Sequence, residues 1–242
     1  MSAKRVKIKV KKKKVNTKRI FITILIIILL CLFVAYILKL PIKNIYITGN
    51  NLVSDKEIIA LAELEDYPSF LSTFFDNIDK KILQNDYIKE VKVTRQIFNK
   101  ISINIEEYKP ICIYNDKLLL SSSKTVDNIY NIDYIPYLVN DINDIYDEFI
   151  KQFSNVNDNI LLKISHIEYA PNDVDKERFL LYMVDQNYVY ITLPKITKIN
   201  KYNSIVKELE GKKGIIYLDS GDYVEIKKNN KEENQEVNPN EN

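Results

Sequence analysis

Ile42-Lys43-Asn44-Ile45-Tyr46-Ile47-Thr48-Gly49-Asn50-Asn51-Leu52-Val53-Ser54-Asp55-Lys56-Glu57-Ile58 carries a strand, a turn and a helix start in direct succession. Ile42 to Thr48 alternates, with Ile45 and Ile47 on one face, the pattern of a half-buried strand. Gly49-Asn50-Asn51 marks a turn, because Gly and Asn accept positive φ at little cost. Ser54 to Glu57 has capping-box spacing, in which the Ser hydroxyl and the Glu carboxylate satisfy each other's backbone donors. A helix through Ile58, Leu61 and Ala62 is predicted to follow.

Downstream, Pro68 to Phe75 reads as an apolar loop whose Phe70, Leu71, Phe74 and Phe75 pack back onto the core. Asp76 or Asn77 can cap a second helix that buries Ile78, Ile82 and Leu83. Two alternating runs, Ile88 to Arg95 and Ile101 to Glu107, flank Ile97-Phe98-Asn99-Lys100 and predict a β-hairpin. Residues 42–107 thus read β-α-α-β-β.

Upstream, Ile20 to Leu38 is uncharged, with Thr23, Cys31 and Tyr36 its only polar members. As a helix it measures roughly 28 Å, close to the hydrocarbon thickness of a bilayer. It is longer than a signal-peptide core and lacks a small-residue cleavage site, so residues 20–38 are predicted to be a retained transmembrane helix. Residues 1–19 carry ten Lys or Arg and no acid; the remaining chain holds 25 bases against 33 acids, a net charge of −8. Basic flanks stay on the cytoplasmic side, which predicts a type II protein of the cell membrane, its large domain extracytoplasmic. The tail lacks interleaved aromatics to stack on bases, and its place beside the membrane suits anionic lipids better than nucleic acid.

The stretch Ile45-x-Ile47-x-Gly49-Asn50-x-x-x-Ser54-x-x-x-Ile58, with Val91-x-Val93-x-Arg95 and Ile105-x-Glu107-x-x-Pro110, resembles the POTRA domain. With the basic tail and anchor, residues 20–227 resemble the FtsQ/DivIB family of bacterial cell-division proteins. Two positions depart from that pattern. The hairpin turn is Phe98-Asn99-Lys100 instead of an aromatic-Pro-Asn motif, and no Arg follows Glu107.

The resemblance implies an α+β chain: a transmembrane helix, a POTRA-like domain over 42–110 and a mostly antiparallel β domain over 111–228. Within the latter, Ile111 to Tyr114 and Leu118 to Leu120 flank the turn Asn115-Asp116-Lys117, and Ile135 to Leu138 is a short proline-containing segment. Ile142 to Phe153 has helical spacing. Strands are expected over Leu161–Tyr169, Phe179–Val184 and Val189–Leu193, a helix over Lys198–Leu209, and a last strand over Gly214–Lys227. Residues 229–242 are polar without apolar period and read as a disordered tail.

Catalytic signals are lacking. His166 is the single histidine, and it sits in a strand pattern; Cys112 lies outside the membrane run and Cys31 inside it. Chain order and context do not match a sortase, and Ser54 is occupied as a helix cap rather than free as a signal-peptidase nucleophile. Four scattered glycines make no phosphate loop. No catalytic, metal or cofactor residues, no small-molecule substrate and no nucleic-acid partner are expected.

The resemblance therefore implies a non-enzymatic divisome component at the division septum. Its partners would be other single-pass division proteins of the FtsL and DivIC/FtsB kind, and it would help control septal peptidoglycan synthesis. A POTRA-bearing polypeptide transporter would need a membrane β-barrel that the remaining residues do not encode, and a membrane-anchored envelope enzyme lacks its constellation. The partner site is placed on the final strand, at Tyr217, Leu218, Ser220, Gly221, Tyr223, Val224 and Ile226. That strand comes last, where a sheet edge leaves N–H and C=O groups unpaired, and Ser220-Gly221 with Val224 resembles the family's terminal strand, where partner strands are thought to add.

Overall fold

A helix, α1 (Thr17–Lys39), opens the computed structural model, which describes residues 16–96 and 99–227. Most of the basic tail, the hairpin positions Ile97 and Phe98, and the polar tail 229–242 lie outside the described residues. Among these, α1 is the one helix long and apolar enough to cross a membrane. Its Thr23 hydroxyl donates to the Arg19 carbonyl at 2.9 Å, so even this polar group is satisfied within the helix. The helix stops because Leu40 precedes Pro41: the proline ring disfavours αR in the residue before it, and Leu40 is extended at φ −63° and ψ 139°.

Next come β1 (Asn44–Thr48), α2 (Asp55–Leu61), α3 (Phe70–Phe75), α4 (Ile78–Ile82), β2 (Ile88–Gln96) and β3 (Lys100–Glu107). The sheet order is β1-β3-β2, with β1 parallel and β2 antiparallel to the central strand. Ile45 and Ile47 lie beside Ile101 and Ile103, and Val93 faces Ile103 from the other side. Gly49 has φ +86°, and a Cβ there would stand 2.1 Å from the Ile105 carbonyl oxygen, so β3 can approach only a glycine.

The Ser54 hydroxyl accepts from the Glu57 N–H at 3.3 Å, as the capping box requires. The reciprocal half is absent. The Glu57 carboxylate instead accepts from Tyr130 Oη at 2.8 Å and Asn85 Nδ2 at 3.0 Å, joining α2 to a later segment.

The apolar loop expected over 68–75 is a helical turn. Ser69 caps α3 by accepting from the Ser72 N–H at 3.2 Å. Phe74 and Phe75 do not join the core; they are 62% and 77% exposed.

A nine-stranded sheet follows, in the order β12-β11-β10-β9-β8-β7-β4-β5-β6. Its first strands are β4 (Pro110–Tyr114), β5 (Lys117–Leu120), β6 (Thr125–Val126) and β7 (Tyr137–Leu138). Asn115 and Asp116 both have positive φ, 51° and 61°, as a two-residue type I′ hairpin turn demands. Leu118, Leu119 and Leu120 are all fully buried because β5 is covered on both faces. Leu118 and Leu120 join the cluster of Ile42, Ile58, Ile82 and Ile103, while Leu119 joins that of Phe149, Phe153 and Phe179.

Beyond β7 lie α5 (Tyr146–Phe153), α6 (Asp158–Leu161), β8 (Ile164–Tyr169), β9 (Arg178–Met183), β10 (Tyr188–Thr192), α7 (Tyr202–Glu208), β11 (Gly214–Tyr217) and β12 (Tyr223–Ile226). Three expectations are corrected here. The strand expected from Leu161 begins at Ile164, since Asp158 to Leu161 forms a helical turn ending at Leu162. The helix expected from Lys198 opens earlier, as a 3-10 helix from Leu193 with Pro194 in its first turn. The last strand, expected as one run from 214 to 227, is a hairpin: Leu218 to Asp222 turns the chain, and β12 runs back along β11.

Candidate partner-binding edge

Gly214 starts β11 because β12 leaves no room for a side chain: a Cβ would fall 2.3 Å from the Glu225 carbonyl oxygen. The buried Asn187 amide oxygen accepts the Gly214 N–H at 2.9 Å and fixes the strand's entry. β11 pairs parallel with β10, and Leu218, just beyond it, still donates to the Tyr190 carbonyl at 2.8 Å. The turn is then pinned from below. Asp219 is buried and accepts from Arg178 Nε at 2.7 Å, with the Ser220 hydroxyl donating to its other oxygen at 3.0 Å. Lys195 Nζ donates to the Asp219 carbonyl, and Lys198 pairs with Asp222 at 2.6 Å. Burial works against the Asp219 carboxylate, but the bonds from Arg178 and Ser220 outweigh it and hold its pKa below the usual value.

β12 ends the sheet; among the described residues it pairs with β11 alone. The register tells which backbone groups it leaves open. Lys227 donates to the Lys213 carbonyl at 2.9 Å, so that pair is hydrogen-bonded. Alternation along an antiparallel ladder then makes Glu225 and Tyr223 the inward-bonding residues of β12. Val224 and Ile226 direct their N–H and C=O groups outward, where an added strand would find them.

One face of this edge is aromatic. Tyr223 stacks on Tyr217 with ring centroids 4.6 Å apart, Tyr217 on Tyr190 at 5.4 Å, and the Arg178 guanidinium lies 3.7 Å from the Tyr190 centroid. The ladder crosses β9, β10, β11 and β12 and ends at Tyr223, which is 51% exposed. Guanidinium and rings make a rigid, partly desolvated platform.

The seven residues expected to bind partners thus fall into different positions. Tyr223, Val224 and Ile226 lie on the outer strand and Tyr217 one strand inside it. Ser220 and Gly221 are exposed in the turn, and a Cβ at Gly221 would lie 3.3 Å from the Tyr223 ring. Leu218 is buried and serves as an anchor. Arg178, Asp219 and Tyr190 were not among the expected residues. Their roles depend on neighbours across the sheet, and only the Tyr188-x-Tyr190 alternation hints at an aromatic face.

The residues weighed for catalysis stay apart from this edge. Cys112 is fully buried, and burial raises its thiol pKa far above the usual value. His166 is exposed on β8 with Nδ1 3.2 Å from the Ser165 hydroxyl, beside Tyr137 and Tyr182. Among the described residues no three His, Cys, Asp or Glu side chains are grouped to hold a metal ion.

Residues 40–108 match the family model of the FtsQ-type POTRA domain. The chain is 34% identical to the cell division protein DivIB of Bacillus subtilis over 194 residues, covering 76% of this chain and 73% of that one. It belongs to the FtsQ/DivIB family of cell-division proteins. DivIB of Bacillus anthracis is 29% identical over 75% of this chain and 72% of its own. A solved structure, the major extracytoplasmic domain of the trans isomer of DivIB from Geobacillus stearothermophilus, aligns over 43% of this chain and 96% of that one, at 22% identity and a TM-score of 0.36. As a DivIB-type protein the chain has a role in cell division, and among the described residues α1 is the one helix long and apolar enough to cross a membrane.

Proposed function

We propose that this protein is a non-enzymatic divisome component that binds other single-pass division proteins, of the FtsL and DivIC/FtsB kind, by strand addition at β12. Through them it helps control septal peptidoglycan synthesis. The basic tail stays in the cytoplasm against anionic headgroups, and residues 42–110 and 111–228 act outside the membrane at the septum. The observation that carries the reading is the outer strand. β12 offers the main-chain groups of Val224 and Ile226 beside an aromatic anchor, Tyr223, in a chain of a cell-division family. Main-chain hydrogen bonds give such augmented sheets their affinity, and flanking side chains give specificity.

Recovery of the two partner types with the tagged, detergent-solubilised full chain tests this directly. Wild type should retain both and gather in a midcell ring as a fluorescent fusion. Tyr223→Lys, which keeps the backbone but replaces the exposed ring by a charge, should lose most of the partner recovery. Full recovery with a folded Tyr223→Lys protein would place the interface elsewhere, with residues 42–110 the next candidate.

A further inference from the structure

Phe74 and Phe75 are large apolar side chains exposed in an otherwise well-packed unit, their rings edge-to-face at 5.7 Å. Their position in the fold is fixed from two sides. On one, the segment before α3 is bonded to the end of the membrane span: Phe70 donates to the Leu40 carbonyl at 3.1 Å, Ile42 donates to the Pro68 carbonyl at 3.0 Å, and Pro41 bridges to Ser69. The helix lies against α1, and Ile37 and Leu38 are half-buried near the end of an otherwise exposed span. On the other side, Arg95 of β2 donates from Nε at 2.9 Å and Nη2 at 2.6 Å to the Thr73 carbonyl, and from Nη2 at 3.1 Å to the Asp76 carbonyl. These are carbonyls at the C-terminal end of α3, where a cation is favoured. Clamped in this way, α3 cannot swing its phenylalanines into the core.

Leu40 follows the last apolar residues of the span, so Phe70 lies at the level where hydrocarbon gives way to headgroups. Five steps of about 1.5 Å put Phe75 within about 8 Å of that level, whatever the tilt of α3. The interfacial zone on each side of a bilayer is of similar thickness, about 5–8 Å. No residue of α3 is charged, and the exposed Lys39 and Lys43 flank the exit where lipid phosphates lie.

We propose that α3 is a second membrane contact: Phe74 and Phe75 insert into the lipid leaflet from which α1 emerges. The span and α3 together then fix the orientation of the β1-β3-β2 sheet relative to the membrane plane. This goes beyond strand addition at β12 and rests on α1 crossing the bilayer.

The chain contains no tryptophan, so a single substitution supplies a unique fluorophore. The full chain is reconstituted in phosphatidylcholine–phosphatidylglycerol vesicles as Phe75→Trp, Phe74→Trp, Phe33→Trp within the span, or Val174→Trp, whose site is 88% exposed. At least one of the two α3 variants should lose most of its emission to lipids brominated on the upper acyl chain and be shielded from aqueous iodide. Val174→Trp should show the reverse. If both α3 variants behave like Val174→Trp while Phe33→Trp is quenched by bromolipid, the second contact is overturned. If Phe33→Trp also escapes bromolipid, the membrane reading of α1 fails and this proposal fails with it.

Discussion

The Arg178 guanidinium and the Asp219 carboxylate meet at 2.7 Å with their side chains 16% and 4% exposed, tying the turn before β12 to β9 inside the sheet. The same guanidinium lies over Tyr190, at the inner end of the aromatic ladder. One cation therefore holds both the backbone turn and the face of the proposed docking edge.

Removing it should expose that coupling. Arg178→Met leaves Asp219 without its main partner, and breaking a largely buried pair from one side costs about 3 kcal/mol. The expected result is a lowered urea midpoint for the detergent-solubilised chain, with faster amide exchange over 218–226 than over 101–105. Unchanged exchange in the turn would show that Lys195 and Ser220 suffice to hold it.

The pair also sets a pH window. The Asp219 carboxyl is held below its ordinary value in the folded state, against the opposing effect of burial. A depressed carboxyl pKa stabilises the fold above the unfolded value, about 3.9, and that contribution disappears as pH falls through the folded value. The stability difference between wild type and Asp219→Asn should be flat from neutrality down to about pH 5 and shrink below about pH 4. Denaturation midpoints of both proteins across that range measure it, and a difference that titrates near pH 7 would point to another group.

The contrast between these two residues and the motif residues shows what a sequence can reveal. Gly49 and Ser54 are legible because their duties, a positive-φ turn and a helix cap, are set within a few residues of them. The expected single strand over 214–227 failed for a non-local reason. Asp219 turns the chain because Arg178 and Lys195 wait beneath it, and nothing at 214–227 records them. Phe74 and Phe75 read as core residues because an apolar run registers apolar character but not whether the packing leaves the side chain exposed. The Leu118-Leu119-Leu120 run was legible as a strand, yet its burial by two different cores follows only from the packing.

Glu107 stands in the motif, but its role is non-local and follows only from the packing. Its carboxylate accepts from the N–H groups of Asn51, Leu52 and Val53 at 2.9 to 3.1 Å, closing the loop between β1 and α2 onto the end of β3. Glu107→Gln keeps the shape but loses the charge and one acceptor, which should cost about 1–2 kcal/mol. Amide exchange at 51–53 should accelerate while the β12 edge and partner recovery stay as in wild type. A loss of partners without loss of stability would move the docking surface toward this loop.

Cys112 and His166 separate binding from chemistry. Cys112→Ala combined with His166→Ala should lower stability by about 1 kcal/mol, mostly from the buried Cys112 position, and leave division and membrane localisation intact. Loss of division in a folded, normally abundant double variant would revive an enzymatic or metal-dependent reading.

The sharpest prediction compares two prolines one residue apart on β12. Proline has no N–H, so its effect depends on the direction in which the replaced donor points. The Lys227–Lys213 hydrogen bond sets the alternation, turning the Val224 N–H outward and the Glu225 N–H toward β11. Val224→Pro removes a donor that the isolated chain does not use. It should leave the circular dichroism spectrum near wild type while sharply reducing recovery of the FtsL- and DivIC-type partners. Glu225→Pro breaks the hairpin itself and should disorder 218–226, which amide exchange will show. Full partner recovery with Val224→Pro would exclude strand addition at this edge, whereas loss in Glu225→Pro alone would mean that partners read the Tyr223 face of an intact hairpin and not its open backbone.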